Sequence, residues 1–162
     1  MTTTVNPAEA LVPAPTQRIA LAKLMPDFYK AMVALDRAAS DGLDPDIREL
    51  IKIRASQLNG CAYCLDMHTR DARSQGMSEQ KVFGVQVWRE TPFFTARERA
   101  ALALTEAVTH LGEHGVPDEV YDEAAKVFDE QELSRVMGMA IVINAWNRIG
   151  VASRLSPAHR HA

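Results

Sequence analysis

Helix punctuation is the feature of this chain that most constrains its fold. From Gln17 onward, helix starts and stops recur at short intervals, and no stretch alternates apolar and polar residues long enough to build a strand. Asp44 before Pro45 reads as an N-cap with proline at the first helical position. Thr95 and Glu98 match a capping box. Pro26 interrupts an early helical segment that Gly42 ends. Asn59-Gly60 is a strong break, and Gly76 suits a helix C-terminus. The expected helices cover 18–24, 27–39, 44–58, 61–74, 78–88, 95–111, 117–128 and 130–152. The expected fold class is all-α.

Residues 1–16 carry Pro7, Pro13 and Pro15 without apolar periodicity, so they are expected to form a flexible N-terminal arm. Residues 17–155 are expected to form a single helical domain, and 156–162 a polar tail. With 162 residues and 47% hydrophobic side chains, one core can form without staples. Eighteen Lys and Arg against 21 Asp and Glu give a net charge of -3, which argues against a nucleic-acid partner. No apolar run approaches the ~20 residues that span a bilayer, so no membrane partner is expected. The stretch before Arg18 lacks the basic start and apolar run of a signal peptide, which makes the cytoplasm the expected location.

Two longer apolar stretches remain. Residues 137–146 are apolar nearly all round, as in a helix buried in a core or between subunits. Together with Val82, Phe83, Val85, Val87, Trp88, Phe93 and Phe94 they suggest oligomerisation. The acidic segment 113–132 reads as a solvated helix face, with a docking surface for a basic partner as the other reading. His110, His114, His159 and His161 read as surface or tail residues, and Asn147 and Arg148 as structural more than catalytic.

The chemistry sits in Asn59-Gly60-Cys61-Ala62-Tyr63-Cys64-Leu65-Asp66-Met67-His68, which holds the only two cysteines of the chain. On a helix advancing about 100° and 1.5 Å per residue, Cys61, Cys64, Leu65, His68 and Ala72 share one face. Asp66, Arg70 and Arg73 point the other way. The two cysteine Cα atoms fall ~5 Å apart, within the window for a disulfide. His68 lies ~6 Å from Cys64 but ~10.5 Å from Cys61, so only Cys64 has a base within reach. Cys61 has the helix N-terminus, where a thiol pKa falls. Geometry leaves the attacking cysteine open and favours Cys64 modestly. If the helices flanking Asn59-Gly60 pack antiparallel, Glu49 lies opposite Arg70 and within about a turn of His68, where a carboxylate could orient the imidazole. Rival readings are a zinc site of Cys61, Cys64, His68 and Glu49, and a pair of inert buried thiols.

The spacing Glu49-x11-Cys61-x2-Cys64-x3-His68 resembles the alkylhydroperoxidase AhpD-like family of the carboxymuconolactone decarboxylase superfamily. The likeness is close over 48–76 and extends to Trp146-Asn147-Arg148. It implies an all-helical protomer assembling as a trimer, or as a hexamer, and peroxidase or disulfide-reductase activity. By that resemblance Cys64 is the peroxidatic thiol, Cys61 the resolving thiol, and His68 and Glu49 a proton relay. The implied partners are a hydroperoxide substrate and a dithiol reductant, thioredoxin-like or lipoyl, with no bound cofactor and no metal. Tyr63 stands where some members have a histidine, which shifts the relay onto His68. Decarboxylases of the superfamily lack the cysteine pair, so decarboxylation is not expected.

Overall fold

Several helices begin where the sequence supplies a side-chain cap. The computed structural model describes residues 12–159. Within them run α1 (Leu21–Leu24), α2 (Pro26–Ser40), α3 (Pro45–Leu58), α4 (Ala62–Ser74), α5 (Glu79–Gly84), a 3₁₀ helix (Val85–Glu90), α6 (Ala96–Thr109), α7 (Asp118–Ala125) and α8 (Glu130–Ser153). The Asp44 carboxylate accepts from the backbone N–H groups of Asp46 and Ile47 at 2.9 and 3.0 Å, closing the start of α3. Both arms of the Thr95/Glu98 capping box form, and a second box joins Asp129 and Glu132 at the head of α8. The fold is all-α: among the described residues no strand occurs, only an isolated bridge between Gly112 and Gly115.

Four expected helices are shorter than their sequence pattern. The segment 18–24 is a single turn, because the Arg18 N–H instead reaches the Ser153 carbonyl at 2.9 Å and ties the entering chain to the end of α8. The helix expected over 78–88 ends at Gly84 and tightens into 3₁₀, with Val87 at φ -120° and ψ 31°. Tertiary hydrogen bonds hold that kink. The Trp88 indole donates to Glu106 at 2.8 Å, and Arg99 donates to the Trp88 carbonyl at 2.8 Å. Likewise α6 stops at Thr109 and α7 covers only Asp118–Ala125.

Helix α3 is the central strut, packed against α4, α6 and α8. One side of it puts Ile47, Ile51 and Ala55 into a cluster with Leu104, Val136, Met139 and Ile143. Its other side puts Leu50 and Ile53 against Ala72, Val85, Trp88, Phe94 and Leu102. Each of these large side chains contributes about 1.5–3 kcal/mol by leaving water. The apolar stretch 137–146 is therefore largely core, through Met139, Ala140, Val142 and Ile143, although Ile141 is exposed. The patch around 82–94 divides similarly: Val82, Val85, Trp88 and Phe94 are buried, and Phe83 and Val87 are exposed.

The acidic segment is mostly exposed, as expected of a solvated face, with Glu123 paired to Lys126 and Glu132 to Arg97. His110, His114 and His159 are exposed. Residues 1–11 of the expected arm, and His161, lie outside the described residues, whereas 12–20 form no helix. No described helix is long and apolar enough to cross a membrane.

Candidate active site

The site is built on the elbow between α3 and α4. Gly60 turns the chain at φ +65°, a left-handed conformation that glycine adopts without strain. The Asn59 amide fastens the elbow from inside. It donates to the Ala55 carbonyl at 2.9 Å and to Asn144 and Asn147 on α8 at 2.9 and 3.0 Å. Asn147 in turn donates to Ser56 at 3.0 Å, and Asn144 to Thr109 at 2.9 Å. Asn147 thus has the structural role expected of it. Arg148 is exposed and donates back to the Asn144 carbonyl at 3.0 Å.

With the elbow fixed, Cys61 becomes the N-cap of α4, its sulfur accepting from the Cys64 N–H at 3.3 Å. Cys61 and Cys64 are joined in a disulfide with Cα atoms 5.4 Å apart. Cys61, Cys64, His68 and Ala72 are all buried, whereas Arg70 and Arg73 are exposed on the far side of the helix. The helical-face reading therefore describes α4 well.

Glu49 comes closer to His68 than the antiparallel estimate required. Its Oε2 lies 3.2 Å from His68 Nδ1, with both residues at most 5% exposed. Burial pushes the Glu49 carboxyl up. Hydrogen bonds from His68 and Arg48, with the charges of His68 and Lys52, outweigh that and hold it below the usual carboxylate value. In the tautomer protonated on Nδ1, a neutral His68 donates to the ionised Glu49 and presents a free lone pair on Nε2 that can act as a base. The aligned carboxylate also stabilises the imidazolium once a proton has been accepted.

His68 and Cys64 line one cavity of about 410 Å³, walled on its apolar side by Tyr29, Val33, Trp146 and Ile149. Sequence reasoning passed over several residues here. Lys52, only 7% exposed, lines the same cavity and pairs with Asp36 at 3.1 Å. The Trp146 indole donates to the other Asp36 oxygen at 3.0 Å. Lys52 stands one turn beyond Glu49, so helical spacing could have marked it. Gly150 of α8 also went unread. A Cβ on it would lie 2.8 Å from Cys61 Sγ and 3.4 Å from Cys64 Sγ, so α8 packs its bare backbone against the disulfide.

Of the four residues in the zinc reading, the cysteines meet in the disulfide and Glu49 meets His68. Glu49, His68 and Asp71 bring one ligand atom each within 4.8 Å, and Arg48 holds the other Glu49 oxygen at 2.9 Å. Among the described residues this trio is the only cluster of its kind.

Comparison with known proteins places this geometry in a family. Residues 26–107, which contain Glu49, both cysteines and His68, match the carboxymuconolactone decarboxylase family. The uncharacterized protein YdfG of Bacillus subtilis is 38% identical over 138 residues, covering 85% of this chain and 94% of YdfG. The crystal structure of ATU0492 from Agrobacterium tumefaciens, a protein of unknown function suggested to be an antioxidant defence protein AhpD, superposes with a TM-score of 0.85. It is 40% identical, and the match covers 89% of this chain and all of that one. The debrominase Bmp8 shares the fold at a TM-score of 0.74 and 22% identity, over 85% of this chain and 74% of its own. By sequence and by fold, this chain belongs to the carboxymuconolactone decarboxylase family, among its AhpD-like members.

Proposed function

We propose that the protein is a thiol peroxidase that reduces hydroperoxides through a Cys61–Cys64 disulfide cycle. The observation that carries this reading is the shared cavity of Cys64 and His68, with the imidazole held by a buried, ionised Glu49. In the reduced protein, His68 takes the proton of Cys64. The thiolate attacks the terminal peroxide oxygen, forming an S–O bond as the O–O bond breaks. The alkoxide leaves as an alcohol with the proton held on His68. Cys61 then attacks the sulfenic acid, forming the disulfide and releasing water. A dithiol donor, thioredoxin-like or lipoyl in type, supplies two electrons by exchange and is itself oxidised. Such a cycle suits the cytoplasm, where dithiols are kept reduced. Assembly into trimers or hexamers is part of the same reading.

The test is consumption of tert-butyl hydroperoxide with dithiothreitol as reductant, for wild type, Cys64→Ser and Cys61→Ser. Loss of turnover in both variants is expected, with Cys61→Ser retaining a single oxidation to sulfenic acid. Turnover unchanged in Cys64→Ser, or disulfide exchange with no peroxide consumption by the wild type, would overturn the peroxidase reading.

A further inference from the structure

The two cysteines of the buried disulfide line different cavities. Cys64 lines the cavity that contains His68, and Cys61 does not. Cys61 lines a second cavity of about 440 Å³, and Cys64 does not. Gly150 and Leu155 contribute to both, so the end of α8 and the segment just beyond it form the partition. The second cavity is walled further by Gly60, Ala62, Val151, Arg154 and Ser156.

The two chambers differ in chemistry. The Cys64 chamber holds the base, its carboxylate partner and the Lys52–Asp36 pair. The Cys61 chamber holds no His, Asp or Glu, and its one charged side chain is the exposed Arg154. An exposed cation in the lining draws in an anionic nucleophile. Cys61, which lines this cavity, is the N-cap of the 13-residue α4, where the helix dipole favours a thiolate.

We propose that the two half-reactions use opposite sides of this partition: peroxide reaches Cys64 through the His68 chamber, and a small dithiol enters the Arg154 chamber and attacks Cys61 Sγ. This rests on the peroxidase reading for its first half only. In the reductive half, the entering thiolate forms a bond to Cys61 Sγ and the Cys61–Cys64 bond breaks. The electron pair departs on Cys64, into the chamber where His68 can return a proton to it. The second thiol of the donor, deprotonated, then attacks its own sulfur in the mixed disulfide. That closes the donor's ring and releases Cys61 as a thiolate at the helix N-terminus.

The mapping experiment needs no peroxide turnover. Oxidised wild-type protein is treated with 2-mercaptoethanol, quenched with iodoacetamide, and the 55–70 peptide is fragmented in the mass spectrometer. The mixed disulfide is expected on Cys61 and the alkyl group on Cys64; the reverse assignment overturns the proposal. Blocking variants supply the second arm, with the two half-reactions timed separately by intact mass. Val151→Trp and Ser156→Trp, in the Arg154 chamber, should slow reduction by dithiothreitol about tenfold or more. Val33→Trp, in the His68 chamber, should slow oxidation by tert-butyl hydroperoxide about as much and leave reduction within about twofold. Two foldable blocks that fail to slow reduction, or a Val33→Trp block that slows both half-reactions equally, overturn the two-sided scheme. Absence of any peroxide reaction refutes the peroxidase reading and leaves the mapping result standing.

Discussion

His68 Nδ1 and Glu49 Oε2 meet at 3.2 Å across the contact between α3 and α4, shielded from water on both sides. Arg48 holds the other carboxylate oxygen at 2.9 Å. One side chain is thereby fixed at both ends, and the orientation of the imidazole follows from it.

Glu49→Gln should therefore destabilise the fold by about 1–3 kcal/mol at neutral pH, the usual cost of spoiling a buried charged hydrogen bond. The sign with pH follows from the lowered carboxyl. Its contribution is complete above the ordinary value of 4.5 and is lost as pH falls through the lower value it has in the fold. Denaturant unfolding of both proteins across acidic pH should show the gap closing below about 4.5. A gap that is constant to about pH 3 contradicts an ionised Glu49.

His68→Ala should lower the rate of Cys64 oxidation by peroxide about a hundredfold at pH 7. The deficit should shrink as pH rises past ~8.5, where a thiol ionises unaided. Stopped-flow oxidation rates against pH measure this. A deficit independent of pH points to a positional role for His68 rather than a proton-accepting one.

Gly150→Ala and Gly138→Ala form a matched pair within α8. Alanine in a helix interior normally stabilises by about 1 kcal/mol over glycine. Nothing lies within 4 Å of the Cβ position at Gly138, so that variant should melt at or above the wild-type temperature. At Gly150 the new methyl meets Cys61 Sγ at 2.8 Å, and overpacking of about 1–3 kcal/mol should win. Thermal melts of the oxidised proteins should move in opposite directions.

Asn147→Leu removes the partner of both Asn59 and Ser56 from a position with no exposure. A cost of about 1–3 kcal/mol is expected from the polar groups left behind. Because the elbow sets the spacing of Cys61 from Glu49, the oxidation rate should fall as well. Asn147→Leu with wild-type stability would mean that Asn59 finds other partners.

Local chemistry made the helices and the redox face readable in advance. Caps such as Asp44 and Thr95 act over three residues, and the Cys61, Cys64, His68 pattern lies within one helix. Glu49 was reachable because a short turn leaves few ways to pack α3 on α4. The rest depends on contacts that sequence spacing cannot reveal. Asn59 meets Asn147 across 88 positions, and Trp146 meets Asp36 across 110. The 3₁₀ turn at Val85 was hidden for the same reason, since its hydrogen bonds come from Glu106 and Arg99. Met139, in a stretch whose pattern suited a core or an interface equally, and Val85 are core because α8 and α3 run through the middle of the chain's fold.

The disulfide bridges residues three apart within the first turn of α4. A cross-link that local fastens no distant parts of the chain, and the two clusters around α3 do not depend on it. Opening it therefore removes little of what holds the helices in place. The pair can work as a two-electron reservoir, filled and emptied at constant architecture.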